Sequence, residues 1–265
     1  MNSTFQVGST DDGWQKAIHL EEVWGTVVVL EARAELLPIN AETVMQEASA
    51  FLHQVDDWFS TYRVDTPISA LRMGFADLVQ MPEVVAQVLE QCEQIKKLTD
   101  GVFDPWAVPG GVDPSGYVKG WAADVAADFL VDGGLSNVNV NAAGDVSCRG
   151  FQAPGEPWLV GIQDPFNKDG ILAMAAIFNS AIATSGEYER GKHIINPSTR
   201  NRDLALISAT VIGPDGGLAD ALATALLIEG TDGARWFEQL PDWSALLIDT
   251  ENAFTFGPAF KTEEG

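Results

Sequence analysis

Apolar positions along the chain fall either into short β-branched runs or into three- and four-residue steps, and these two patterns assign most of the elements. Gly25-Thr-Val-Val-Val-Leu-Glu-Ala32 predicts a strand. After Pro38, the residues Val44, Ala48, Phe51, Val55 and Phe59 step by three or four and predict a helix lying on the core. A second helix follows Pro82 through Val84, Val88, Cys92 and Ile95 and stops before the turn-forming Thr99-Asp-Gly101. A loop rich in Gly and Pro runs from Phe103 to Gly116. Residues 119–130 then predict an Ala-rich helix with Ala122, Ala126 and Phe129 on its packed side.

Further strands are expected at residues 137–141, 158–163, 171–178, 204–213 and 244–249, with a helix at 218–228. Strands and helices in this irregular order predict an α+β fold: one domain of two interlocked lobes, with mixed or antiparallel sheets and packed helices. The domain is expected over residues 21–258, with a flexible N-terminal segment at 1–20 and a tail at 259–265.

Charge narrows the partners. With 38 acidic against 15 basic side chains, the formal charge of -23 repels phosphate backbones and anionic lipid heads, so nucleic acid is not expected to bind. No run approaches the roughly 18 apolar residues of a membrane span. The first thirteen residues hold no basic segment followed by an apolar one, and a cytoplasmic location is expected. Cys92 and Cys148 lack metal-like or redox-like spacing and read as buried thiols. His19 and His53 stand outside any cluster and read as surface or structural residues.

Three segments could carry chemistry. Asp113-Pro-Ser-Gly-Tyr-Val-Lys-Gly120 sets a carboxylate, a glycine and a lysine where a loop becomes a helix, so backbone N–H groups and the Lys119 ammonium could meet a phosphate; glycine-rich helix starts are also common for purely structural reasons. Asp220 and Thr224 lie four apart on one helix face, an arrangement suited either to Mg²⁺ or to helix capping and back-bonding. Residues 183–202 gather Arg190, Lys192, Arg200 and Arg202 around His193 and a small Thr-Ser-Gly turn, which fits either an anionic ligand or a solvated polar loop. Trp24, Tyr62, Phe103 and Trp106 stand beside turns, where each ring could stack on a planar cofactor or pack in the core.

Taken in order, the chain resembles the ApbE family of FAD:protein FMN transferases. The resemblance rests on Trp24-Gly-Thr26, Phe59-Ser-Thr-Tyr-Arg-Val-Asp65 with Ile68-Ser69, Gly101-Val-Phe-Asp-Pro105, Asp113 through Gly120 with Asp124, Gly144-Asp145, Thr184-Ser-Gly186, His193-Ile-Ile-Asn-Pro197, and Ala219-Asp220 with Thr224. It implies an enzyme that uses Mg²⁺ to transfer the FMN half of FAD to a threonine hydroxyl of an acceptor flavoprotein, releasing AMP. A metal-dependent FAD pyrophosphatase and a non-catalytic FAD-binding protein are the alternatives. By the same resemblance, Trp24, Tyr62, Val102, Phe103, Asp104, Asp113, Lys119 and Ile194 would line the FAD site, and Gly116, Asp220 and Thr224 would hold the metal. His193 would accept the proton or steady the phosphate. The chain departs from the family pattern at Trp24, where Met is usual, at Ala143 and Arg200, where glycine is usual, and at Asn196, where Asp is usual.

Overall fold

A computed structural model describes residues 4–186, 194–201 and 203–260. Eleven described strands are β1 (Thr4–Ser9), β2 (Gln15–Val23), β3 (Thr26–Ala34), β4 (Val138–Ala142), β5 (Asp145–Arg149), β6 (Trp158–Asp164), β7 (Asn167–Ile177), β8 (Ser180–Gly186), β9 (Ser208–Gly213), β10 (Ser244–Ile248) and β11 (Ala253–Phe256). Nine of them form one sheet in the order β1-β2-β3-β4-β5-β8-β9-β10-β11, and β6 and β7 form a separate hairpin. Every described pairing is antiparallel. The α+β organisation expected from the sequence is therefore present, with helices α1 (Ala41–Phe59), α2 (Pro67–Arg72), α3 (Glu83–Leu98), α4 (Ser115–Asp132) and α5 (Gly216–Glu229).

Side-chain alternation along the strands sends neighbouring residues to opposite faces and so builds two cores on one sheet. Ala209 and Val211 of β9, and Ala245 and Leu247 of β10, join the large core beneath the helices. Ile212, Leu246 and Ile248 point the other way, onto Trp158, Ile162, Ala175 and Ile177 of the β6–β7 hairpin.

Helix α4 crosses the middle of the helical layer, touching α1, α5, β4 and β5. Small residues make this close approach possible: Ala122, Ala123, Ala126 and Ala127 are buried, as are Ala219 and Ala221 of α5. The approach is closest at Gly120 and Gly216, where a Cβ on either residue would collide with the carbonyl of the other.

Several elements differ from the expectation. The segment expected to be flexible carries β1, whose residues pair with β2 from Thr4↔Leu20 to Ser9↔Gln15; its exposed mixture of polar residues gives no periodic signal. Helix α4 begins at Ser115 rather than near 119, because Pro114 suits a helix start, and Gly116 and Lys119 therefore sit inside its first turns. Phe129 is exposed, and Leu130 takes the packed position instead. The Thr184-Ser-Gly186 segment is not a turn but the end of β8, paired with β9. Most of β2 also falls in the segment expected to be flexible, and strands β5 and β11 carry no sequence expectation. Both cysteines are free and buried, as expected, and burial pushes the Cys148 thiol up to about 12.

Candidate functional site

Two hairpin tips at the same end of the sheet form one wall of a cleft. Trp24 and Gly25 join β2 to β3 with Val23 paired to Thr26, and Ala143 and Gly144 join β4 to β5 with Ala142 paired to Asp145. All four residues have positive φ (58° and 71°, 59° and 104°), the conformation of two-residue turns whose twist matches the strands. Because β3 pairs with β4, the two tips are neighbours.

The cleft, of about 1090 Å³, is lined by Trp24, Gly25, Thr26 and Ala143 from these tips. The end of α1 and the following loop contribute Asp56, Phe59, Ser60, Thr61, Tyr62 and Arg63. Ser115, Val118 and Lys119 come from the start of α4, and Gln163 and Lys168 from the β6–β7 hairpin. Three of the 15 basic side chains, Arg63, Lys119 and Lys168, thus border one opening in a strongly acidic protein. Tyr62 is 98% exposed within this opening, and Trp24 is half-buried against the main core. Arg63 is held by Asp56, Asp57 and Asp65, which bind its guanidinium at 3.2, 2.6 and 3.0 Å.

Lys119 is oriented from below. Its Nζ lies 3.3 Å from Oδ2 of Asp145, the buried residue directly after the β4–β5 turn. The Gly144-Asp145 pair and the lysine, far apart in the chain, meet because α4 packs on β5.

Behind the first turns of α4 a second group converges. A Cβ built on Gly116 would stand 3.3 Å from Thr224 Oγ1 and 3.5 Å from the Phe103 ring. Asp220 is buried, with Oδ2 3.5 Å from the Gly120 N–H, and Ser185 Oγ lies 3.1 Å from Thr224 Oγ1. Gly116, Asp220 and Thr224, expected together from the resemblance, are therefore close in space, at the seam between α4 and α5. Among the described residues no group of three or more His, Cys, Asp and Glu side chains could hold a metal ion. The donor set here is one carboxylate with neutral oxygens, which suits a hard cation that keeps water and phosphate ligands.

Other expected site residues stand elsewhere. Phe103 is buried under Gly116, and Val102 packs against the core. Asp104 pairs with Lys96 at 2.9 Å, and Asp113 pairs with Arg72 at 3.4 Å while accepting the Ser115 N–H. Ile194 is half-buried on the main core. None of these five lines the cleft; Phe103 and Asp113 brace the start of α4. His193 lies outside the described residues. Gln163 and Lys168 reach the cleft without any sequence signal, because only the packing of the hairpin across the sheet brings them there.

Three departures leave the local geometry intact. Asn196 Oδ1 accepts the Ser198 N–H at 2.9 Å, so the amide oxygen forms the turn that a carboxylate would form. Ala143 and Arg200 hold left-handed backbone (φ 59° and 57°) at the positions where glycine is usual in the family pattern. His19 and His53, which read as surface or structural residues, share one partner: His19 is buried, and Glu21 accepts a hydrogen bond from Ser49 and faces His19 and His53 at 3.2 and 3.0 Å.

An antiparallel sheet with helices on one face carries an open cleft edged by lysines and aromatic rings, a lining whose chemistry suits a planar, anionic ligand. The sequence pattern of the ApbE family matches residues 24–110 and 107–247, and the chain belongs to that family. It is similar to a FAD:protein FMN transferase of Vibrio cholerae, 27% identical over 278 aligned positions that cover 81% of this chain and 82% of the relative. A FAD:protein FMN transferase of Salmonella typhimurium is 34% identical over 161 positions, covering 57% of this chain and 45% of the relative. Among solved structures, the flavin transferase ApbE from Vibrio cholerae superposes with a TM-score of 0.81 at 22% identity, covering 93% of this chain and 98% of the other. The apo flavinyl transferase ApbE of Pseudomonas stutzeri gives 0.75 at 20% identity, over 98% and 96%. No helix of the described residues is long and apolar enough to cross a membrane.

Proposed function

We propose that this chain transfers the FMN half of FAD to a threonine hydroxyl of an acceptor flavoprotein, releasing AMP. The observation that carries the reading is the juxtaposition of the ring-edged cleft holding Lys119 with the Gly116, Asp220 and Thr224 group one helix turn away. Membership of the family and the activity named for its Vibrio and Salmonella relatives support it.

In this reading Trp24 and Tyr62 stack on the isoalloxazine ring and Lys119 carries positive charge to the pyrophosphate. Asp220, Thr224 and the Gly116 carbonyl hold Mg²⁺, which when bound supplies charge neutralisation at the phosphates. The threonine oxygen forms a bond to the FMN phosphorus, the bond from that phosphorus to the bridging oxygen breaks, and AMP leaves with the electron pair. His193 accepts the hydroxyl proton. Phosphoryl chemistry of this kind asks the protein for positioning and charge rather than covalent help.

The test is incubation with FAD and Mg²⁺, with and without an acceptor domain carrying a flavinylation threonine, reading AMP and acceptor mass. Transfer predicts AMP together with an acceptor heavier by FMN, both abolished in Asp220→Ala. FMN released without acceptor labelling would replace the reading with a pyrophosphatase. FAD binding with no AMP would make the chain a flavin carrier.

A further inference from the structure

Asp124 lies on α4 away from the cleft lining, yet its carboxylate ties three elements together. Its Oδ2 accepts the backbone N–H of Gly216, the first residue of α5, at 2.5 Å. Its Oδ1 accepts the Ser147 hydroxyl at 2.7 Å and Arg149 Nη2 at 3.1 Å, both from β5. Arg149 is fixed in turn by Asp128, one helix turn further along α4, at 2.8 Å.

Capping of α5 does not need Asp124. Asp215 already performs it, accepting the Leu218 N–H at 2.8 Å with its side chain, while its carbonyl takes the Ala219 N–H. The bond from Asp124 therefore does something the local cap does not: it joins α5 to a different helix.

The seam between those helices explains why such a tie matters. At Gly120 and Gly216 the contact is backbone against backbone, with Asp220 Cβ and Ser147 Oγ beside it, and at Gly217 it is against the Tyr117 ring. Glycines allow this close approach but contribute no side chain of their own to fix its register. A charged hydrogen bond at the first residue of α5 sets its register along α4. Because a helix is rigid at this length, rising 1.5 Å per residue, the register chosen at Gly216 is passed one turn on to Asp220 and two turns on to Thr224. Gly116, on α4 itself, is the fixed partner against which those two side chains are placed.

We propose that Asp124 is a positioning residue that holds Asp220 and Thr224 of α5 in register with Gly116 of α4, and so sets the affinity of the cation site. The proposal rests on the reading of Gly116, Asp220 and Thr224 as metal ligands.

The test is direct binding of Mn²⁺ to the purified full chain without FAD, by calorimetry or electron paramagnetic resonance, for the wild type, Asp220→Ala, Asp124→Ala and Asp124→Asn. Turnover against Mg²⁺ concentration is measured in parallel. Asp124→Ala is expected to raise the Mn²⁺ dissociation constant about tenfold, to leave FAD affinity within twofold, and to regain most of its turnover at saturating Mg²⁺. Asp124→Asn, which keeps an acceptor for the Gly216 N–H, is expected to stay within about threefold of the wild type. Asp124→Leu carries the same expectation as the alanine variant should that one not fold. A wild type that binds Mn²⁺, an Asp220→Ala that does not, and an Asp124→Ala within twofold of the wild type would overturn the proposal alone. A wild type that binds no Mn²⁺, or an Asp220→Ala that binds it normally, would overturn the metal reading and the proposal with it.

Discussion

Lys119 Nζ and Asp145 Oδ2 are 3.3 Å apart, and this pair couples the start of α4 to the β4–β5 hairpin tip that walls the cleft. Asp145 is 3% exposed while Lys119 borders the opening, so the carboxylate is a fixed support and the ammonium is the end that can meet a ligand. Lys119→Met is expected to weaken FAD binding about tenfold or more, measured by quenching of flavin fluorescence, and to destabilise the fold by taking one cationic partner from a buried carboxylate. Adding Asp145→Asn to Lys119→Met should recover much of the stability without recovering FAD affinity. Recovery of both would mean that Lys119 matters only for folding.

Ala143 and Arg200 occupy left-handed backbone that a Cβ disfavours by about 1–2 kcal/mol, whereas glycine adopts it freely. Ala143→Gly and Arg200→Gly are each expected to stabilise the protein by about 0.5–1 kcal/mol after the extra entropy of an unfolded glycine is subtracted. Thermal unfolding should show a rise of roughly 1–4 °C for each. A fall in both would mean that the side chains make contacts worth more than the strain they impose.

Glu21 is buried between β2 and α1, where burial alone would raise its carboxyl. Hydrogen bonds from Ser49, His53 and His19 outweigh that effect and hold it below its ordinary value of 4.5. A carboxyl lowered in the folded state stabilises the protein fully above the unfolded value and loses that contribution as pH falls through the folded one. Glu21→Gln is therefore expected to cost about 1–3 kcal/mol near pH 7 in urea unfolding. The difference from the wild type should shrink progressively below about pH 4.5. An unchanged difference at pH 7 and pH 3.5 would rule out the linkage.

Legibility followed from how far apart in the chain the cause of each feature lies. Helices α1 and α3 are written in local spacing: Val44, Ala48 and Val55, or Val88, Cys92 and Ile95, make a stripe whatever lies opposite. Strand β3 is equally local, since its β-branched run needs only a sheet to join. The short polar β1 becomes a strand only because β2 offers it backbone partners, and β8 hides its pairing inside Thr-Ser-Gly, a composition that serves turns as readily.

The candidate site divides in the same way. Asp220 and Thr224 share a helix face by spacing alone, and the order of motifs from Trp24 to Thr224 is sequence information sufficient to indicate the family. Which of those residues face one another was decided by tertiary packing. The glycine seam at Gly120 and Gly216 brings α5 against Gly116, the α4–β5 contact delivers Asp145 to Lys119, and the hairpin crossing the sheet adds Gln163 and Lys168. The same packing turns Asp113 toward Arg72 and Asp104 toward Lys96 rather than into the cleft. Local spacing fixes which face of an element a side chain occupies, but direction toward a partner a hundred residues away depends on how closely two backbones approach, and that distance exists only once the helices and the sheet have packed.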